Sequence, residues 1–178
     1  MNPASAASRL CAACGLCCNG VMFQKVRLQP EDNRYDLIKA GLKIKRRHTE
    51  EFFTQPCTAF RETHCAIYLQ RPTRCRLFEC QQLKRVASGV ITEAMAAEKI
   101  RETKQRVDFL SELLQQEGTT NVSKPLLKRC EQATIEPPEA GADPVLSEIR
   151  EKIGRLMDEL DALLDQDFRV TPVAVEGL

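Results

Sequence analysis

The sequence predicts a mainly α protein: a small irregular cysteine-cluster domain stabilised by metal, with short helices and one short strand pair, followed by a long helical hairpin. Three observations predict it. Eight of the nine cysteines fall between positions 11 and 80. Beyond position 90, apolar residues recur at steps of three and four along two long stretches, the period of amphipathic helices. The large aromatics that usually fill a core are scarce, with no Trp, seven Phe and two Tyr in 178 residues. The expected division is residues 1–90 for the cysteine-cluster domain, 91–170 for a helical hairpin or coiled-coil-like region and 171–178 for a flexible tail.

The front half is read as follows. "VMFQKVRL" (21–28) predicts a short strand of imperfect alternation. "PEDNRYDLIKAG" (30–41) predicts a helix: Pro30 suits a first turn, Glu31 and Asp32 sit at the positive end of the dipole, and Gly41 supplies a left-handed stop. Residues 53–83 have no sustained period and contain Pro56 and Pro72, so loops and short helical turns are expected, tied together by something other than a core.

The back half is regular. From Ile91 to Gln116, Ile100, Val107, Leu110 and Leu114 form a seam in which only Thr103 is out of character, and Gly118 ends the helix. From Pro144, the seam runs through Leu146, Ile149, Ile153, Leu156, Leu160 and Leu163. Glu148/Lys152, Glu151/Arg155 and Glu102/Arg106 offer i,i+4 pairs on the outer faces. The intervening "EPPEAGAD" (136–143) cannot be helical throughout. Two such seams suit a hairpin or a pair that dimerises, so a protein partner or a homodimer through the helical region is expected.

The net charge of +1 conceals an asymmetry: 15 Lys/Arg against 7 Asp/Glu in residues 1–90 (+8), and 11 against 18 in residues 91–178 (−7). The basic half would balance its own sulfurs if these were thiolates. "KIKRR" (43–47) lacks interleaved aromatics, so nucleic acid is not an expected partner. The first residues lack the n- and h-regions of a secretory signal, and no apolar run approaches the ~18 residues of a membrane span. A cytoplasmic protein with no membrane partner is expected, and in that compartment clustered cysteines more often bind metal than pair as disulfides.

"CAACGLCCNG" (11–20) places Cys11, Cys14, Cys17 and Cys18 within eight positions, and Cys57, Cys65, Cys75 and Cys80 follow. Thiolate is a soft ligand for zinc, copper(I) or iron. A C-x2-C step lets one tight turn aim two sulfurs at a common point, with backbone N–H groups facing them. Eight sulfurs suffice for two four-sulfur sites. Adjacent Cys17 and Cys18 project differently, so they would serve two metals, or one would ligate while the other packs. Zinc sites usually pair two knuckles, and the second set here has none. C-x2-C-x2-C is nearer the ferredoxin spacing, although the following Cys-Pro is missing. The expected cofactor is therefore zinc or iron, the latter as an ion or an iron–sulfur cluster. His64 could replace a sulfur, although a lone His in a polar loop is more often solvated. Arg61, Arg71, Arg74 and Arg76 crowd the same loops, suited to hydrogen-bonding thiolates or to building an anion site. Ile67 and Tyr68 would cover the site, and Pro72 would fix the approach to Cys75. Cys130, in "LLKRC", is expected to be a free, partly buried thiol.

These motifs, "CAACGLCCNG", "PCTAF" and "CAIYLQRPTRCRLFEC", together resemble the bacterial YkgJ-like or CxxCxxCC cysteine-cluster family of zinc- or iron-chelating domain proteins. The resemblance covers residues 11 to about 80, with no departure from the cysteine pattern, and implies metal chelation by all eight cysteines. The helices beyond residue 90 lie outside it. No Ser/His/Asp group or phosphate-cradling loop is present, and saturated cysteine ligation leaves no exchangeable position for Lewis-acid catalysis. A metal-binding protein whose helices engage a partner is thus expected ahead of an enzyme. The alternative is an iron–sulfur redox protein or an accessory to a metal-dependent enzyme.

Overall fold

The structure, a computed structural model, describes residues 5–61, 64–135 and 143–170. The fold is mainly α, with seven α-helices among the described residues. Helix α1 (Ala6–Cys14) is capped by Ser5, whose Oγ accepts from Ser8 N–H at 3.1 Å, and is stopped by Gly15 at φ 76°. The C-x2-C spacing predicts a tight turn here, and the structure has a helix instead. Its cues are a Ser cap, an alanine-rich run and a glycine just past the end.

The sheet content exceeds the single strand pair expected. Strands β1 (Lys25–Arg27), β2 (Lys45–Arg47) and β3 (Glu50–Thr54) form an antiparallel sheet in the order β1-β3-β2, with Val26 opposite Phe53 and Arg46 opposite Glu51. Its acidic middle strand meets basic neighbours: Glu50 pairs with Lys25 and Arg27 of β1, and Glu51 with Arg34, at the start of the helix that follows β1. A two-stranded ribbon, β4 (Phe60–Arg61) and β5 (His64–Cys65), places Phe60 opposite Cys65. The strand expected over 21–28 is thus only three residues long.

Helix α2 (Arg34–Lys39) is likewise shorter than expected, because Asn33 rather than Pro30 begins it, its side chain accepting from the N–H groups of Tyr35 and Asp36. Asp32 is spent outside the helix: one carboxylate oxygen accepts from Gln29 N–H, and the other from Thr73 N–H at 2.7 Å and Thr73 Oγ1 at 2.8 Å. Gly41, at φ 96°, provides the expected stop. A 3-10 turn (Tyr68–Gln70), helix α3 (Thr73–Leu77) and helix α4 (Gln81–Ala87) complete the front half.

Helix α5 (Glu93–Glu117) runs from the Thr92 cap to Gly118 at φ 100°. Ala96, Ile100, Val107, Leu110, Leu113 and Leu114 are buried along it. Thr103 is also fully buried, because its Oγ1 donates to the Lys99 carbonyl at 2.8 Å and so carries no unpaired hydroxyl inside. Helix α7 (Pro144–Asp167) begins at the Asp143 cap and buries Ile153, Leu160 and Leu164 against α5, with Ile149, Leu156 and Leu163 half-buried alongside. Between them lies helix α6 (Leu126–Ile135), absent from the sequence reading, which packs on both with Leu126, Cys130 and Ala133 inward. The pair therefore has a third helix filling its seam. The outer charges also differ from expectation: Glu102 meets Lys99, Arg106 meets Glu159 on α7, and Lys152 sits 5.0 Å above the Phe109 ring. The non-helical expectation for 136–143 and the flexible tail at 171–178 fall, but for Asp143, outside the described residues.

Two apolar clusters form. The first joins Leu10, Leu16, Val21 and Met22 to Leu83 of α4 and to the seams of α5, α6 and α7, so it draws on both sides of residue 90. The second joins Val26, Leu37, Leu42, Phe53, Ala59 and Ile67. The front half therefore has apolar interiors of its own, which the aromatic-poor composition concealed. No helix among the described residues is long and apolar enough to cross a membrane.

Candidate metal centre

The end of α1 presents Cys11 and Cys14 three residues apart, hence neighbours on a helix surface. Gly15 then turns the chain so sharply that a Cβ there would stand 2.2 Å from Phe60 Cζ. The turn that follows, closed by Cys18 N–H and Asn19 N–H on the Gly15 carbonyl, both at 2.8 Å, carries Cys17 and Cys18. From there the chain passes Gly20, at φ 89°, whose hydrogen faces Pro125 Cα at the start of α6.

The other cysteines reach the end of α1 by different routes. Cys57 N–H donates to the Cys18 carbonyl at 2.7 Å, and Phe60 N–H to the Cys57 carbonyl at 3.0 Å. The β4–β5 ribbon then returns Cys65 beside Phe60. Cys75 rides on α3, whose start is stapled by Asp32 through Thr73. Cys80 is the N-cap residue of α4, and α4 packs on α1 and α5. That position is locked from the far end of the chain: Gln81 N–H donates to the Phe168 carbonyl at 2.9 Å, and buried Gln82 donates from Nε2 to the Asp167 carbonyl at 2.8 Å. Phe23 and Phe78, edge to face at 4.9 Å, pack on the apolar cluster that buries Cys80.

All nine cysteines are free thiols. Burial pushes the thiols of Cys14 and Cys75 up to about 12 and holds those of Cys17 and Cys18 well above the ordinary value. Burial also raises Cys57, Cys65 and Cys80. Repulsion from neighbouring sulfurs adds to each of these shifts. It joins Cys11, Cys14, Cys17 and Cys80 to one another and Cys18, Cys57, Cys65 and Cys75 to one another, with Cys11 and the Cys17–Cys18 pair linking the two groups.

Opposing the burial are backbone N–H groups aimed at sulfur: Leu16 toward Cys14, Ala59 and Phe60 toward Cys57, Ile67 toward Cys65, and Gln82 and Leu83 toward Cys80. Donors two and three residues beyond a cysteine favour the thiolate, which is the ligand form. The donor set therefore fits a thiophilic metal. The thiols are neighbours and not yet a cage: among the described residues no group of three or more His, Cys, Asp or Glu is arranged to hold an ion.

The arginines divide. Arg71 donates from Nη1 to Cys11 Sγ at 3.5 Å and favours the thiolates of Cys65 and Cys75 by its charge. Its Nε is held by the Tyr68 carbonyl at 2.7 Å, and its guanidinium lies 3.6 Å above the Tyr68 ring. Arg61 and Arg74 are exposed, and Arg76 donates to Thr73 Oγ1 at 3.0 Å. His64 is exposed opposite Arg61 in the ribbon, on the strand position next to Cys65. Ile67 is buried in the second apolar cluster, whereas Tyr68 is half-buried and serves Arg71. A cleft of about 270 Å³ bordered by Cys14, Phe60, Lys104 and Arg129 reaches the first group of thiols from the helical side. Lys104, whose charge favours the Cys14 thiolate, is a neighbour the cysteine spacing could not disclose. Cys130 is fully buried in the helical core, deeper than expected and apart from both groups.

Comparison with curated proteins and with solved structures finds no match. The profile of the CxxCxxCC family, described as "Putative zinc- or iron-chelating domain", matches residues 10–103, which takes in all eight clustered cysteines and the first turns of α5. That span is more than half of the 178 residues, and the chain belongs to the CxxCxxCC family.

Proposed function

We propose that this protein chelates zinc or iron through the thiolates of Cys11, Cys14, Cys17, Cys18, Cys57, Cys65, Cys75 and Cys80, and that it acts as a binding protein. The observation that carries the reading is the gathering of these eight free thiols around the end of α1, where backbone N–H groups near Cys14, Cys57, Cys65 and Cys80 favour the charged sulfur. A protein gains little by pointing donors at neutral thiols, because a neutral S–H is a poor acceptor. Donors pay off only when the sulfur carries charge, and a buried thiolate needs a cation beside it.

A bound metal would neutralise the sulfurs, remove their mutual repulsion and draw the half-assembled groups together. Its affinity would rise with pH, because each thiol must lose its proton to ligate. The seams of α5, α6 and α7 are consumed within the chain, so a partner protein or a second copy would engage their outer faces.

Anaerobic purification followed by elemental analysis is the test. Zinc or iron in stoichiometric amount supports chelation. Brown protein with visible charge-transfer absorption would assign iron–sulfur and favour the redox alternative. Metal-free protein that takes up neither zinc nor iron would overturn the proposal.

A further inference from the structure

Within the chelating role proposed above, on which this rests, the eight cysteines need not form one site. We infer that they form two separate four-sulfur centres, one from Cys11, Cys14, Cys17 and Cys80 and the other from Cys18, Cys57, Cys65 and Cys75, with the Cys17–Cys18 peptide as the dividing line.

The fold separates them first. Cys80 is buried in the apolar cluster shared with α5–α7, and Cys11, Cys14 and Cys17 pack against that same cluster. Cys57 is buried in the other cluster, with Val26, Phe53 and Ile67, and Cys18, Cys65 and Cys75 pack against that one. No cysteine of either set belongs to the other's cluster. The backbone ties the second set together as well: Cys57 N–H donates to the Cys18 carbonyl at 2.7 Å, and Phe60, whose N–H donates to the Cys57 carbonyl, stands opposite Cys65.

The backbone donors follow the same division. Each set has two sulfurs facing N–H groups, Cys14 and Cys80 in one, Cys57 and Cys65 in the other. Each set also draws on distant parts of the chain. The first closes α1 onto α4, and the second closes the turn after α1 onto the β4–β5 ribbon and α3.

Two observations set the relation between the centres. Arg71 stands between them, donating to Cys11 of the first while its charge favours Cys65 and Cys75 of the second. Cys11 is the sulfur nearest the boundary. It stays with the first set because it packs on that set's apolar cluster and shares the α1 face with Cys14. A four-thiolate set suits one tetrahedral zinc or iron ion, or one cluster.

The test uses the full chain and zinc as probe, with metal counted by elemental analysis and native mass spectrometry. Wild type is expected to hold two ions. Cys17→Ser and Cys18→Ser, although adjacent, are each expected to hold one, and the double variant none. Cys14→Ser/Cys17→Ser should still hold one, since both changes fall in the first set. A variant that does not fold is replaced by wild type stripped to one ion and alkylated, in which four protected thiols should map to a single set. Wild type with one ion, Cys17→Ser holding none, or protection of Cys17 together with Cys18 would overturn the division. Wild type that binds neither zinc nor iron would instead refute the chelation on which it rests.

Discussion

Arg71 reaches Cys11 across sixty positions, Nη1 to Sγ at 3.5 Å, while the Tyr68 carbonyl holds its Nε and the Tyr68 ring lies under its plane. A side chain gripped at three points has already lost its freedom, so its charge is placed at the sulfurs at little further entropic cost. Arg71→Gln is expected to weaken metal affinity by about 10–100-fold, the usual effect of removing a partner of a metal ligand. Arg71→Lys should restore the charge without the planar fork, and so recover only part of the affinity. Competition with a chelator of known affinity measures both, and far-UV circular dichroism unchanged in both variants shows that the loss is at the sulfurs. An affinity equal to wild type in Arg71→Gln would remove Arg71 from the centre.

Gly15 carries two constraints at once. Its φ of 76° disfavours any L side chain, by about 1–2 kcal/mol on general grounds. A methyl group would also lie 2.2 Å from Phe60 Cζ. Gly15→Ala should therefore lower the thermal midpoint and, by moving Cys14 relative to Cys17, weaken metal binding. Adding Phe60→Leu should return the part due to the ring and leave the backbone part. If Gly15→Ala melts with wild type, the close approach of the turn to the ribbon is wrong.

Phe168 closes the circuit between the end of α7 and the start of α4. It is 1% exposed, and its carbonyl accepts from Gln81 N–H beside Cys80. Truncating a buried phenyl costs about 3–5 kcal/mol. Phe168→Ala is thus expected to destabilise the fold and, when metal is counted at low temperature, to loosen the set containing Cys80 before the set containing Cys57. Chemical denaturation and thiol alkylation mapping read the two effects. Equal loosening of all eight thiols would disconnect α7 from the site.

Cys130 offers a pH test free of metal. Burial among α5, α6 and α7 pushes its thiol up to about 11, against a smaller opposing pull from Arg129. The folded chain thus keeps a proton that the unfolded chain releases near its ordinary value of 9.0. The resulting stability is whole below about pH 9 and is lost as pH climbs toward 11, by on the order of 2 kcal/mol. Cys130→Ala lacks that group, so the stability difference between wild type and variant should shrink over this window and stay flat at lower pH. Thiol reagents at pH 8 should leave Cys130 untouched until the protein unfolds.

Thr103 and Leu114 test the helical seam. Thr103 Oγ1 bonds a carbonyl of its own helix, which the helix ladder already occupies, so Thr103→Val should be neutral or slightly stabilising. Leu114, fully buried, should cost about 2–5 kcal/mol on change to Ala. Thermal melts decide both. A large loss in Thr103→Val would mean that the hydroxyl has a partner beyond its helix.

The periodic helices and the cysteine inventory were legible from the sequence alone. The seams of α5 and α7, the stops at Gly41 and Gly118 and the eight thiols are local properties, set by side-chain type and spacing within a few residues. Family membership follows from the same short motifs. The helix under Cys11 and Cys14 was hidden because alanine and cysteine carry little periodic signal, and α6 because it is only ten residues long and its inward positions include Cys130 and Ala133. The β1-β3-β2 sheet was hidden because its strands are three to five residues long, too short to show alternation.

Only the tertiary structure decided which sulfurs are neighbours. Cys17 and Cys18 touch in sequence, yet they pack on different apolar clusters. Cys11 and Cys80 are far apart in sequence, yet they meet because α1 lies on α4. Spacing along a chain limits how near two thiols can come, and the burial of apolar surface at long range selects the pairs that do.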